Sequence, residues 1–269
     1  MKKNAIVVGM PRSGTSLTAR VFASAGYFAA EEDSEELRQG DAFNPDGYFE
    51  AEALVEANAR VLRRAGLDAH NTWLFSAADD RLVDSIEALE RLDEDRELVA
   101  RYDDHAPWIW KDPRLCYTLG YWWPLLDATT SCVVLTNRDK DDIWQSFVRL
   151  GWRDESSENR VDVYNRVEDH ISAAEKNIDF HSIPHIRIDY SDYRADPDDV
   201  ASKIGTAFGL NLGVDDLGFR RELNHSSFRG SIERHFEKLV GAMPDSLRKT
   251  AKRITPKSIV GLLFPSRKP

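Results

Sequence analysis

A group of phosphate-binding residues follows the first apolar run of the sequence. It consists of Pro11, Arg12, Ser13, Gly14, Thr15 and Ser16, in a loop that begins after Gly9. Backbone N–H groups in such a loop, at the start of a helix, bind anions, and hydroxyl and guanidinium groups add further donors. The two glycines have the spacing of the nucleoside-triphosphate loop G-x-x-x-x-G-K-[ST], but Thr15 occupies the lysine position. We therefore predict a phosphate-type anion site in which Arg12 supplies the positive charge.

A second pair of anion-binding side chains, Arg138 and Ser146, brackets the start of another predicted helix. Arg138 comes at the end of a β-branched strand, and Ser146 lies two turns into the helix. An arginine at the carboxyl end of a parallel strand, beside a helical hydroxyl, suits one phosphate group in the crevice of an α/β sheet.

The two segments together resemble sulfotransferases that use 3′-phosphoadenosine 5′-phosphosulfate (PAPS). Residues 11–16 are similar to the 5′-phosphosulfate loop of that family, and residues 131–146 are similar to its 3′-phosphate segment. Arg229 stands where the family often carries an Arg-Lys-Gly element that closes on the 3′-phosphate, although the lysine is absent here. The resemblance implies a bacterial-type, P-loop-like sulfotransferase, with PAPS as co-substrate and 3′-phosphoadenosine 5′-phosphate (PAP) as product.

Sulfuryl transfer requires cations where charge develops on the leaving oxygen. Arg12 is the first candidate, and Lys111, which follows a predicted strand, is the second. Protein cations meet this need, so we expect no metal.

The acceptor also needs a base that takes its proton. Many cytosolic members carry a histidine two residues after the lysine, but Pro113 occupies that place here. Residues 44–50 instead form a predicted turn before a helix, and they resemble the Asn-Pro-x-Gly-Tyr-x-Glu element of bacterial sulfotransferases. Glu50 is therefore our candidate base, with Asp112 and His105 in reserve.

The elements that must position these residues follow from the hydrophobic pattern. Short β-branched runs alternate with helical patterns, which predicts an α/β fold with a parallel sheet flanked by helices. The predicted strands are 5–8, 108–110, 132–136 and 185–188; the predicted helices are 15–25, 51–65, 79–103, 141–150, 160–180 and 198–208. We predict one domain over residues 1–245, with a helical insertion at about 79–104, and a basic tail at 246–269.

The composition of the chain indicates its binding partners and its cellular compartment. The net charge of −10 argues against nucleic-acid binding. Two cysteines without metal-ligand spacing, and the lack of an 18-residue apolar run, favour a cytoplasmic protein. Every charged residue after Asp245 is basic, so the tail either makes a weak membrane-surface contact or faces water.

The sequence is compatible with several classes of acceptor. We expect a hydroxyl or amine of a sugar, glycan or small natural product, because aromatic residues can stack on rings. The acceptor-side candidates are Tyr48, Trp108, Trp110, Trp122 and Trp123, although most tryptophans pack in cores. Two alternatives remain: a P-loop kinase or NTPase, and a non-catalytic nucleotide-binding protein.

Overall fold

The computed structural model describes residues 2–31, 37, 47–67 and 80–219. The chain divides into two compact units, Met1–Phe219 and Arg220–Pro269, and all described residues belong to the first. Arg229 and the basic tail therefore lie outside the described residues, as do Asn44, Pro45 and Asp46 of the predicted turn.

Four parallel strands form the sheet of the described chain. They are β1 (Asn4–Val8), β2 (Ile109–Lys111), β3 (Ser131–Asn137) and β4 (His185–Asp189), in the order β2-β1-β3-β4. Val7 pairs with Lys111 of β2 and with Val134 of β3. All residues of β1 and β2 are buried, as expected for parallel strands covered on both faces. The predicted α/β fold and its four strands are confirmed.

Helices connect the strands and cover the sheet. They are α1 (Thr15–Ser24), α2 (Glu52–Arg64), α3 (Asp80–Glu87), α4 (Asp93–Asp103), α5 (Leu115–Trp122), α6 (Lys140–Arg149), α7 (Ser157–His181), α8 (Asp192–Ala195) and α9 (Pro197–Phe208). Two 3₁₀ turns, Trp123–Leu125 and Val214–Leu217, complete the regular structure of this part of the chain. Each helix of the described ranges is too short or too polar to span a lipid bilayer.

The single helix predicted at 79–103 is wrong, because two helices, α3 and α4, occupy this region. Arg91 lies in the break between them and donates from Nη1 to the carbonyl oxygens of Glu87, at 2.7 Å, and Leu89, at 3.0 Å. These bonds satisfy carbonyl groups near the end of α3. The Leu92 N–H donates to Asp95 at 2.9 Å, which caps the start of α4.

Alternate residues of β1 pack into different cores. Ile6 and Val8 join a cluster that includes residues of α2, α5 and α7. Ala5 and Val7 join a second cluster with residues of α1 and α9. The alternation follows from the two-residue period of a strand. Both faces of the sheet are therefore covered, and the functional loops emerge at its carboxyl edge.

Candidate active site

The predicted anion loop leaves β1 in close contact with β3. Ser13 Oγ lies 2.9 Å from Thr136 Oγ1, and Thr136 Oγ1 donates to the Val8 carbonyl oxygen at 3.1 Å. Gly9, at φ 155°, leaves no room for a side chain, because a Cβ there would lie 2.7 Å from the Thr136 carbonyl oxygen. Ser13 is therefore buried as an anchor of the loop.

The loop continues directly into α1. Gly14 is the N-cap residue, at φ 102°, and a Cβ at this position would lie 2.6 Å from the Tyr190 ring. The first turn of α1 contains no acidic residue, so its N–H groups and positive dipole end suit an anion. Arg12, at φ 73°, is one of the described non-glycine residues in a left-handed conformation.

The second predicted anion segment contacts the first. Arg12 Nε donates to Ser146 Oγ at 3.0 Å, and Arg138 Nη1 donates to the Arg12 carbonyl oxygen at 3.1 Å. The Arg138 guanidinium group lies 4.2 Å from the centre of the Tyr190 ring, in a cation–π contact. Arg138 Nε also lies 3.6 Å from Asp142. Arg12 and Arg138 are 126 positions apart in the sequence. The fold thus brings distant residues together at one edge of the sheet.

A pocket opens beside the loop. It is lined by Pro11, Arg12, Thr15, Ser16, Tyr48, Glu50, Lys111, Pro113, Arg114 and Trp152. The structure therefore brings Arg12, Thr15 and Ser16 together with both Glu50 and Lys111. Arg138 and Ser146 do not line the pocket, but both form hydrogen bonds with Arg12, which does.

Glu50 and Lys111 form a buried ion pair in the pocket. Lys111 Nζ donates to Glu50 Oε1, and the two side chains are 3 % and 7 % exposed. Lys111 Nζ also lies 6.0 Å from the centre of the Tyr48 ring. Phe49, between Tyr48 and Glu50, has a left-handed backbone at φ 55°, and it packs against the core cluster on the α1 side of the sheet. A carboxylate and an ammonium group are thus held side by side next to the loop.

Asp112 is fully buried in a polar network, and the charge of Glu50 acts on it. Its carboxylate accepts from Asn58 Nδ2 at 2.9 Å and from Arg114 Nη1 at 2.9 Å. Asn58 is oriented by Thr118 and Trp122, which both donate to its Oδ1. Burial raises the pKa of Asp112, while the charge of Arg114 opposes this effect. Asp112 thus holds Arg114, and it is not among the residues that line the pocket.

The other reserve base and the tryptophans lie away from the pocket. His105 stacks on Phe28 with ring centres 4.3 Å apart, and its Nδ1 lies 3.0 Å from the Arg101 carbonyl oxygen. Four tryptophans are at most 7 % exposed and belong to the core on the α5 side: Trp108, Trp110, Trp122 and Trp123. The acceptor-side expectation is wrong for these four, because they fill the space between the sheet and its helices. Tyr48 does line the pocket.

Two lining residues, Arg114 and Trp152, were not predicted as site residues. Arg114 follows Lys111 in a Lys-Asp-Pro-Arg run at the carboxyl end of a strand, a position that could have indicated it. Trp152 follows Gly151, and a glycine after a helix indicates that the helix ends there. In the ranges that the structure describes, no group of three or more His, Cys, Asp or Glu side chains could hold a metal ion.

Comparison with models of protein families assigns most of the chain to a family. A model described as "Sulfotransferase family" matches residues 5–216. None of the curated proteins compared with the chain matches it.

Solved sulfotransferase structures are also similar to the chain. The sulfotransferase domain of the olefin synthase of Synechococcus PCC 7002 is 18 % identical, covers 84 % of this chain and 81 % of its own, and has a TM-score of 0.44. The sulfotransferase domain from the curacin biosynthetic pathway is 17 % identical, with coverage of 81 % and 77 % and a TM-score of 0.41. A sulfotransferase of Mycobacterium tuberculosis H37Rv is 17 % identical, with coverage of 84 % and 72 % and a TM-score of 0.42.

Proposed function

Because the chain belongs to the sulfotransferase family, we propose that it transfers the sulfuryl group of PAPS to a hydroxyl or amine of a sugar, glycan or small natural product. The observation that carries the choice of donor is the contact between the two anion-binding segments. Arg12 Nε donates to Ser146 Oγ, and Arg138 donates to the Arg12 carbonyl oxygen. A donor with anionic groups at both its 5′ and 3′ positions suits two such adjoining segments.

In this proposal, each of the two anion-binding segments binds one end of the PAPS molecule. The 5′-phosphosulfate binds the loop at the N-terminus of α1, where Arg12, Thr15 and Ser16 line the pocket. The 3′-phosphate binds Arg138 and Ser146 in this proposal. Arg229, which lies outside the described residues, stays a candidate 3′-phosphate residue on the strength of its sequence motif alone. Ser13 and Gly14 shape the loop rather than line the pocket.

The transfer itself needs one bond to form and one to break. The acceptor oxygen attacks sulfur, the bond from sulfur to the 5′-phosphate oxygen breaks, and the acceptor proton goes to Glu50. Glu50 must be ionised to accept it, and the adjoining ammonium group of Lys111 favours that form. Arg12 and Lys111 then stabilise the negative charge on the leaving phosphate.

Two alternatives are less well supported by the pocket. A P-loop kinase or NTPase normally uses a lysine where Thr15 stands. A non-catalytic nucleotide-binding protein has no need for a buried carboxylate and ammonium pair next to the phosphate loop, a pair whose desolvation is costly.

Calorimetric titration with PAP tests the donor. We expect PAP to bind the unmodified protein, and Arg138→Ala to weaken binding about 10- to 100-fold, because hydrogen bonds to charged groups contribute about 1.5–3 kcal/mol. Arg187→Ala is the matched control, since Arg187 is an exposed arginine of β4 that pairs with Glu175. It should bind PAP like the unmodified protein.

Each contrary result points to a different alternative. Tighter binding of ATP than of PAP would favour the kinase or NTPase. PAP binding without sulfate transfer from PAPS to any hydroxyl compound would favour a non-catalytic protein. No PAP binding at all would mean that the loop serves another anion.

Three further proposals rest on the sequence. We propose that residues 1–245 form the catalytic domain, with the region of α3 and α4 as its insertion. We also propose that the basic residues after 245 make a weak contact with an anionic membrane surface, and that the protein acts in the cytoplasm.

A further inference from the structure

The end of α6 delivers an aromatic ring to the pocket. Gly151, at φ 69°, donates its N–H to the Val148 carbonyl oxygen at 3.0 Å, and the Trp152 N–H donates to the Phe147 carbonyl oxygen at 3.0 Å. This is the Schellman pattern of a helix C-terminus. Its usual hydrophobic contact is also present, because the rings of Trp152 and Phe147 meet edge to face with centres 5.1 Å apart. The helix that carries Ser146 therefore also places Trp152 in the pocket.

Helix α7 holds the segment that follows. Arg153 Nη1 donates to the Trp152 carbonyl oxygen at 3.0 Å, and Arg153 Nη2 lies 3.6 Å from Asp162 of α7. Asp162 also accepts from Arg166 Nε at 2.9 Å. Trp152 is thus positioned by α6 on one side and, through Arg153, by α7 on the other.

Trp152 shares the pocket with apolar side chains, and two of the three cations that line it, Lys111 and Arg114, carry carboxylate partners, while the third, Arg12, is assigned to the donor. Tyr48 and Pro113 line the same pocket. Lys111 is paired with Glu50, and Arg114 is paired with Asp112. A negatively charged acceptor would lose hydration on entering and would have to compete with these carboxylates for the cations.

We propose that Trp152 determines acceptor specificity, and that the acceptor presents its hydroxyl on an uncharged ring that packs against the Trp152 side chain. Sugar rings and planar rings both have an apolar face that suits a flat aromatic side chain. This inference rests on the proposed function, because it identifies a residue that binds the acceptor in the same active site. It narrows the acceptor to neutral, ring-bearing compounds.

Two matched glycosides test this inference on the PAP-saturated protein. Phenyl β-D-glucopyranoside is neutral, and phenyl β-D-glucuronide has the same rings with a carboxylate. Ligand-observed NMR titration measures the affinity of each. We expect the glucoside to bind and the glucuronide to bind more weakly by about ten-fold, because its carboxylate would lose hydration and would compete with Glu50 and Asp112 for Lys111 and Arg114.

Substitutions of Trp152 separate a recognition role from a packing role. Trp152→Phe keeps a flat ring and should retain glucoside binding. Trp152→Leu keeps an apolar contact with Phe147 but removes the ring, and it should weaken glucoside binding about ten-fold, as Trp152→Ala should. Phe180→Ala is the control, because Phe180 is an exposed aromatic residue of α7 that does not line this pocket.

Several outcomes would overturn the inference. They are full glucoside affinity in Trp152→Leu, a glucuronide affinity equal to or above that of the glucoside, and no binding of either glycoside to the PAP-loaded protein. PAP titration of each variant separates these from a failure of the proposed function. If the unmodified protein did not bind PAP, both the donor proposal and this inference would be contradicted.

Discussion

Left-handed backbone conformations accompany the predicted reacting groups. Among the described residues, Arg12, Phe49 and Ser182 are non-glycine residues with positive φ. Ser182 ends α7, whereas Arg12 lies in the loop and Phe49 directly precedes Glu50. Such a conformation costs of order 1–3 kcal/mol and persists only where the surrounding structure imposes it. The packing around the loop and around Phe49 therefore fixes where Arg12 and Glu50 lie.

A substitution of Gly14 tests whether its close contact with Tyr190 contributes to stability and to PAP binding. Gly14→Ala would place a Cβ against the Tyr190 ring, at a backbone φ of 102°. We expect it to lower the free energy of unfolding by the left-handed strain of roughly 1–2 kcal/mol, and by roughly 1–3 kcal/mol more for the crowding. It should also weaken PAP binding, because Tyr190 and Arg138 would have to move. Urea denaturation and calorimetry measure the two effects.

Gly26 is the matched control for this substitution. It has a similar φ of 85°, but no atom lies within 4 Å of an added Cβ. Gly26→Ala should therefore show the strain alone and bind PAP normally. Equal PAP affinities in the two variants would contradict the inferred contact between Gly14, Tyr190 and Arg138.

Residue type alone could not separate pocket aromatics from core aromatics. Trp110 lies in the buried strand β2, Trp108 directly precedes that strand, and Trp122 ends the buried helix α5. Trp152 has the same side chain, but it lies in the pocket because of the way α6 ends. A tryptophan's place therefore depends on the element that carries it, and that information is not local to the residue.

At the scale of elements, the set of strands was predicted more completely than the set of helices. Strands β1 and β3 are apolar runs that contain β-branched residues, and the predicted bounds of all four strands lie within one residue of the observed ones. Helix α5 was not predicted, because every one of its residues is buried and no polar face reveals a helical period. The break between α3 and α4 depends on Arg91 and its contact with the Tyr121 carbonyl oxygen, a tertiary contact that periodicity does not reveal.

Helix α6 links the two halves of the proposed site, and its N-terminus can be tested. The Asp139 side chain accepts from the N–H groups of Asp141, at 2.9 Å, and Asp142, at 3.2 Å. Asp139→Ala should lower the free energy of unfolding by about 1 kcal/mol through loss of this cap. It should also weaken PAP binding, because Arg138 directly precedes the cap and Ser146 lies in the helix that the cap begins. Urea denaturation and calorimetric titration give the two values.

An N-cap in another helix is the control for Asp139. Ser156 caps α7 and accepts from the Asn159 N–H at 3.2 Å. Ser156→Ala should have a similar cost in stability, about 1 kcal/mol, without a change in PAP affinity. If both variants bound PAP like the unmodified protein, the start of α6 would have no part in the donor site.

At the scale of the described unit, strand order brings the site together. The loop follows β1, Lys111 ends β2, and Arg138 follows β3. Because β1 lies between β2 and β3, these three positions emerge side by side at the carboxyl edge of the sheet. The sequence predicted the strands and the residues at their ends, but not the order of the strands. That order depends on which helices cover which face, and so on contacts across the whole unit.

The core between α5 and α7 makes a pH-dependent contribution to global stability. His170 is fully buried, its Nδ1 lies 2.7 Å from the Arg166 carbonyl oxygen, and its ring meets Tyr117 edge to face at 4.9 Å. Burial lowers the pKa of His170 from 6.5 to about 4. Between these values the unfolded chain binds a proton that the folded chain excludes, so the free energy of unfolding falls as the pH falls.

Urea denaturation across this pH range tests the contribution of His170. The stabilising effect is complete above the unfolded pKa of 6.5 and is lost as the pH falls towards 4. Between about pH 7 and pH 5 this residue should account for a loss of about 2 kcal/mol. His170→Gln should remove that part of the slope, whereas the control His185→Gln, at an exposed position of β4, should keep it. An unchanged slope in His170→Gln would mean that His170 takes up its proton over the same pH range in the folded and the unfolded chain, and the packing of α5 against α7 would then have to accommodate a charge below about pH 6.5.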